Sequence, residues 1–395
     1  MTCSARLSAA CALLVVILPP QSGAAQSAGF IVRLGQDTLA IERITRTAGR
    51  VDGELLRRIP VTHLIRYTAT LDPEGFPREF TFTLVRPDAA SQPMSVRGGR
   101  MIFGRDSTRI ELQRDSLQVR MLPAPMAFPA LPESYGLYEL WLSTFRRSGR
   151  DSAYIATVAP LGGPSGRMLV YTQGADSVFV PFFGTPLRLR VSGTGDLLGA
   201  DGRATTIKNE IDRIPPPELM PIAERFAAAE AVSGSLGTWI SPRDTVTATV
   251  GAAALWVDYG RPAARGRNVF ANGVLGDTLW RTGANAATQF RTDVDLVIGG
   301  ARVPAGTYTL WTHYDAEQAT LIINTQTGQW GTQYNRSRDL VRVPLQVRQV
   351  EGPPVELFTI AVRPVPGGGV LSLRWDRTEL SVGFEVAGGA ERDTD

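Results

Sequence analysis

The sequence predicts a mostly β protein: two antiparallel β domains, an N-terminal curved sheet or half-barrel and a C-terminal β-sandwich, joined by a short helical linker. Three observations predict it. Short runs in which apolar and polar residues alternate fill most of the chain, and that period gives a strand one buried face. Glycine (40) and proline (27) are frequent among the 395 residues, which favours turns over long helices. Finally, Pro215-Pro216-Pro217 breaks the strand pattern just before the clearest helical periodicity.

Residues 1–28 read as a leader. Arg6 gives a positive start, an apolar run covers residues 9–18, and Pro19-Pro20 stop it. Small residues follow at Ser22, Gly23, Ala24, Ala25, Ser27 and Ala28. These are the parts of a secretory signal peptide, and the apolar run is too short to span a bilayer. The expectation is export to an extracytoplasmic place, periplasmic or secreted, with no membrane span in the mature chain. Cys3 and Cys11 both lie in the leader, so the mature chain would have no disulfide and no thiolate chemistry.

Residues 29–214 read as the first domain. Strands at 30–34 and 38–44 flank Gly35-Gln36-Asp37. Ile65, Tyr67, Ala69 and Leu71 alternate with Arg66, Thr68 and Thr70; Asp72-Pro73-Glu74-Gly75 then turns the chain into Phe80, Phe82 and Leu84. Further strands are expected near 109–112, 117–122, 154–158, 167–172, 177–182 and 187–191. Residues 137–145, with Tyr138, Leu140, Trp141 and Phe145, fit a helix or a strand equally well. Residues 215–237 read as a Pro-rich linker with one helix, carried by Leu219, Ile222, Ala223 and Phe226 and ended by Gly234. Residues 238–395 return to strands, including a Gly299-Gly300 hairpin.

Several motifs in this last part are long. They are Val257-Asp258-Tyr259-Gly260-Arg261-Pro262, Trp280-Arg281-Thr282-Gly283-Ala284-Asn285, Pro304-Ala305-Gly306-Thr307-Tyr308, Trp330-Gly331 and Leu373-Arg374-Trp375-Asp376. Residues 239–386 thereby resemble a family of secreted bacterial domains of unknown function (DUF2911). Ala286 departs from the acidic residue expected after Asn285. The resemblance implies export and a β-rich domain, and it implies no activity and no catalytic residue. The N-terminal domain lies outside it, and its pattern is similar only at fold level to periplasmic curved-sheet carriers.

The chemistry left to such a chain is narrow. Its net charge of +3 is spread without a basic block, which argues against nucleic acid. His63 and His313 stand alone in separate domains, so neither a zinc site nor a His-based triad is expected, and no Asp-x-Asp-x-Asp-Gly loop suggests calcium. No cofactor and no metal is therefore expected. Gly163-Pro164-Ser165-Gly166 has the wrong spacing for a nucleophile elbow. Gly193-Thr194-Gly195 reads as a turn, and Lys208, the single lysine, as a solvated one in preference to a Schiff-base former.

The candidate ligand-binding residues are Asp258, Tyr259, Arg261, Arg267, Trp280, Arg281 and Asn285. Guanidiniums can clamp a carboxylate or phosphate bidentately, and an indole can stack on a sugar. The bland alternative is that the arginines pair with aspartates to hold loops and that Trp280 is core. The expected function is non-enzymatic binding of a small polar ligand, anionic or sugar-like, or of a cell-envelope component. Two alternatives stay open. One is a hydrolase of glycans or esters using paired carboxylates, with Glu356, Asp376, Glu379 and Glu385 as the late-strand candidates. The other is a structural or protein-interaction module.

Overall fold

The computed structural model describes residues 25–387 apart from 88–94, 162–164, 182–184, 194, 238–239, 271–274, 276–277 and 316–317. Most of the leader, together with Gly163, Pro164 and Thr194, therefore lies outside the described residues. Strands dominate the described chain, in a curved first sheet of fifteen and a second, nearly closed sheet of twelve.

In the first sheet each strand pairs with the next, from Gln26–Leu34 out to Leu117–Leu122, and again from Phe128–Pro129 to Glu210–Ile214. The two meanders join where the first strand meets the last, with Gly29 opposite Ile214 and Arg33 opposite Glu210. That first strand starts at Gln26, so the end of the span read as a leader is sheet, and Ala28 is buried opposite Ile44. The alternation read from sequence sets the faces. His63–Leu71 buries Ile65, Tyr67 and Ala69 and exposes Arg66. Gly75 takes φ +90°, and its N–H donates to the Asp72 carbonyl, which closes the turn into Pro77–Val85.

The ambiguous segment is a helix, α1 (Tyr138–Arg147). Leu137, Leu140, Trp141 and Phe145 make a stripe at helical spacing, buried in the hollow of the sheet. Glu42 holds its entry. This fully buried carboxylate accepts from Tyr67 Oη (2.7 Å), Ser134 Oγ (2.5 Å) and the backbone N–H groups of Tyr135 (2.8 Å) and Gly136 (2.6 Å). Burial pushes its pKa up, and the four donors oppose that shift.

The expected linker helix is α2 (Leu219–Ser233), ended by Gly234 at φ +82°. Pro221 sits in its first turn, where no intrahelical N–H is needed. The helix packs on the opposite face of the first sheet, burying Leu219 and Ala223 against Ile41, Leu56 and Leu64. Glu230 fastens it, accepting from Thr62 N (2.9 Å) and Thr62 Oγ1 (2.6 Å).

The second sheet forms its two layers by curling on itself. From Arg243–Val250 it runs through Ala253–Gly260, Thr288–Thr292, Gly306–Tyr314, Ala319–Asn324 and Asp339–Gln349 to Thr378–Val386. Gly368–Asp376 and Val355–Val365 continue beyond that strand. The curl then meets its own start: Phe358 N donates to Pro262 O (2.9 Å) and Ala264 N to Glu356 O (2.8 Å). Val257, Phe290, Leu310, Ile323, Phe358, Leu373 and Trp375 fill the interior. Gly299 and Gly300 both take positive φ, +54° and +83°, as a two-residue type I′ hairpin requires.

Strands Arg50–Arg57 and Gly98–Phe103 were not expected from sequence. Gly53 and the charged residues around it blur the first; a Cβ at Gly53 would overlap the Tyr67 ring on the next strand. The sheets touch at the Gly35-Gln36 turn. Gln36 N donates to Arg265 O (2.9 Å), and the Arg265 guanidinium pairs with Asp37.

Candidate functional site

The seven candidate residues divide into two groups. Asp258, Tyr259 and Arg261 serve the second sheet itself. Asp258 takes both prongs of Arg243, at 3.1 and 2.5 Å. Tyr259 alternates with Val257 and Leu255, is fully buried, and its hydroxyl accepts from Ile360 N at 3.1 Å. Arg261 ties the barrel closed, donating to Phe358 O (3.1 Å), Asp244 Oδ2 (3.0 Å) and Thr359 Oγ1 (2.9 Å).

Arg267, Trp280, Arg281 and Asn285 come together. They line a cavity of about 620 Å³ between the two sheets. The second sheet also contributes Trp311, Tyr334 and Trp375, and the first contributes Glu133, Thr205, Lys208 and Asn209. Lys208 was read as a solvated lysine. Its presence here depends on how two sheets distant in sequence dock, which no local pattern reports.

Trp280 is a wall. Its N–H donates to Gly283 O (2.8 Å), and its ring packs on Trp375 (5.7 Å, nearly parallel) and on Phe358 (4.7 Å, edge-on). Asn285 holds the loop, with Nδ2 donating to Ser241 O (3.3 Å) and its carbonyl accepting from Gly331 N (3.0 Å).

The charges are lopsided. Arg267 donates to Ala264 O (2.9 Å) and Ala263 O (2.8 Å), and Arg281 to Asn285 O (3.5 Å). Among the described residues these acceptors are backbone carbonyls, not carboxylates. Among the described residues Glu133 is the one carboxylate lining the cavity, and Arg57 Nε already engages it at 2.6 Å. Burial lowers the pKa of both arginines; for Arg267 the nearby Arg265 lowers it further, against the opposing pull of Glu356 and Asp37. Burial first, and then Arg267 and Arg281, bring Lys208 down to about 8.

Backbone strain gathers in the same place. Among the described residues, seven that are not glycine take positive φ. Glu133 (+59°), Lys208 (+57°) and Asn285 (+64°) line the cavity. Thr282 and Asp376 each adjoin a lining residue, and Arg265 lies two residues before one. Such conformations cost about 1–3 kcal/mol each and collect at functional sites.

The other candidates have other employment. Glu379 pairs with Arg374 (3.3 Å) and Arg348 (3.5 Å), and Glu356 accepts from Arg265 N (2.8 Å). Neither these nor Asp376 and Glu385 line the cavity. His63 is a core residue, its Nδ1 2.7 Å from Val61 O; burial lowers its pKa to about 4. A larger groove of about 950 Å³ crosses the α2 face of the first sheet. Its charges mostly answer one another, as Arg66–Glu54 (2.8 Å), Arg43–Glu54 (3.4 Å) and Arg43–Glu218 (2.6 Å). The smaller cavity is therefore the stronger candidate. No group of three or more His, Cys, Asp or Glu suited to a metal occurs among the described residues. No described helix is long and apolar enough to cross a membrane.

Comparison with known proteins bears out the family resemblance in the C-terminal region. The family described as "Protein of unknown function (DUF2911)" matches residues 241–384. The Arg267, Trp280, Arg281 and Asn285 side of the cavity lies within that match, and the Lys208 side lies outside it. No curated protein matches the chain. Among solved structures it is similar to a DUF1089-family protein from Pseudomonas aeruginosa, at 16% identity and TM-score 0.32, covering 42% of this chain and 90% of that one. It is also similar to a β-barrel-like DUF1849 protein from Brucella abortus, at 11% identity and TM-score 0.30, covering 48% and 93%. Likeness at these scores carries no argument about function.

Proposed function

We propose that the chain is an extracytoplasmic binding protein whose cavity between the two sheets takes a small anionic ligand, a carboxylate or a phosphate. One observation carries the reading. Arg267, Arg281 and Lys208 converge from two sheets on one cavity whose single carboxylate among the described residues is already engaged by Arg57. Cations brought together out of water repel and lose hydration, and an anion relieves both penalties. Bidentate guanidinium geometry suits carboxylate and phosphate oxygens. The sugar-like alternative has less support, because Trp375 and Phe358 already pack on the Trp280 ring. The paired-carboxylate hydrolase has less still, because among the described residues the cavity offers only Glu133. The extracytoplasmic part rests on the leader pattern of residues 1–28.

Thermal unfolding with inorganic phosphate or malonate tests the binding. Either anion is expected to raise the melting temperature of the wild type, with a much smaller rise for Arg281→Ala. A wild type indifferent to both anions removes the proposal.

A further inference from the structure

We propose that Lys208 is a reactive amine: the cavity takes a small oxo acid, whose carboxylate Arg267 and Arg281 hold and whose carbonyl carbon condenses with Lys208 Nζ. This deepens the anion-binding reading and rests on it.

The first support is the chain's choice of cation. Lys208 is the single lysine among 41 Lys and Arg residues. Elsewhere the chain supplies positive charge with guanidinium, which is also the better clamp for a carboxylate. An ammonium can do what a guanidinium cannot: it loses its proton near neutral pH and its nitrogen attacks carbon. The one amine side chain stands in a cavity where two desolvated guanidiniums already provide charge.

The second support is how the lysine is held. It sits at φ +57°, a conformation uncommon for a residue with a side chain. The turn beneath it is pinned. Thr205 Oγ1 donates to Gly202 O (2.6 Å) and accepts from Ile207 N (3.3 Å), and Gly202 N donates to Asn209 O (2.8 Å). Strain maintained by such bonding positions a group; a merely solvated lysine has no need of it.

The third support is protonation. Among the described residues the titratable groups lining the cavity besides Lys208 are Glu133 from the first sheet and Arg267, Arg281 and Tyr334 from the second. With its pKa near 8, Lys208 is neutral in about a tenth of molecules at pH 7, against less than about one in a thousand for an ordinary lysine. The neutral nitrogen's lone pair forms a C–N bond to the carbonyl carbon. The carbonyl π pair moves to oxygen, which takes up the proton the nitrogen releases. The carbinolamine then loses water to give the imine, so no oxidant or reductant is needed.

The test is reductive trapping of the full chain with pyruvate and cyanoborohydride, read by peptide mass mapping. With one lysine, only the chain's α-amine competes. The expected result is one carboxyethyl group on Lys208, suppressed at least tenfold by inorganic phosphate in the wild type and by Arg281→Ala. Acetone, which lacks the carboxylate, should label Lys208 at least tenfold less. Lys208→Arg should leave only α-amine labelling. If phosphate raises the melting temperature but pyruvate never labels Lys208, the amine proposal fails and the anion site stands. If neither happens, both fall. Equal labelling by acetone, or labelling indifferent to phosphate, marks an ordinary accessible lysine and overturns the proposal.

Discussion

Two buried polar clusters in this molecule treat charge in opposite ways. In the hollow of the first sheet, Glu42 is a lone carboxylate with four donors around it. Between the sheets, Arg267, Arg281 and Lys208 are cations whose one lining carboxylate among the described residues is already engaged. The first cluster is complete without help and fixes the entry of α1. In the second, Arg267 and Arg281 reach backbone carbonyls instead. Burial of polar groups therefore says little about function until donors and acceptors are counted.

The sharpest way to break this contrast is Glu42→Gln. The amide would turn a donor toward N–H groups that need an acceptor. A loss of about 3 kcal/mol is expected in urea unfolding, as for other buried charged networks missing a partner. A change below about 1 kcal/mol would mean that the cluster is not structural.

His63 gives a second measure of the closed interior. It titrates near 4 in the folded chain, below its ordinary 6.5. Between those values the unfolded chain binds the extra proton, so this contribution is whole above pH 6.5 and fades as pH falls through 4. Its full size is about 3 kcal/mol. His63→Asn should flatten the unfolding free energy over that window, and an unchanged slope would put the dependence elsewhere.

Arg265 probes how the cavity is kept together. It reaches Asp37 and Ile240 O, and its backbone N–H reaches Glu356. Arg265→Ala is expected to lose about 2 kcal/mol and to split thermal unfolding into two calorimetric transitions. A single transition would show that other contacts couple the sheets.

Arg281→Ala should have the smallest effect on the empty protein and an opposite sense from Glu42→Gln. Removing a desolvated cation should leave ligand-free stability equal or slightly higher. Phosphate or malonate affinity should meanwhile fall about tenfold, or about 1.4 kcal/mol, by calorimetric titration. A marked loss of stability without anion would make Arg281 structural, like Glu42.

Much of the fold was legible because a half-buried strand writes its period into the chain. Ile65, Tyr67 and Ala69 and the Gly299-Gly300 turn needed no partner to be read. The helix α1 was undecided because a buried segment this short satisfies both periods. The site was half legible. Trp280 ends the short strand Thr278–Trp280, and Arg267, Arg281 and Asn285 lie on non-periodic loops around glycines, which marks loops kept for something besides packing. The burial of Tyr259 was legible in its alternation with Val257 and Leu255, whereas the barrel-closing contacts of Arg261 were not, because Phe358 and Thr359 lie about a hundred residues on. Lys208 was invisible as a site residue because its surroundings come from the other sheet.

The junction of Gln26–Leu34 with Glu210–Ile214 has a consequence for how the chain comes off the ribosome. The first strand emerges early and finds one neighbour in Asp37–Thr47 almost at once. Its other edge, carrying Phe30 and Val32, stays open until residues near 210 follow. For most of the first domain's synthesis the middle of the future sheet is a bare template for any passing strand. A truncation just before Glu210 removes that closing strand together with α2 and the second sheet, and it leaves that template open for good.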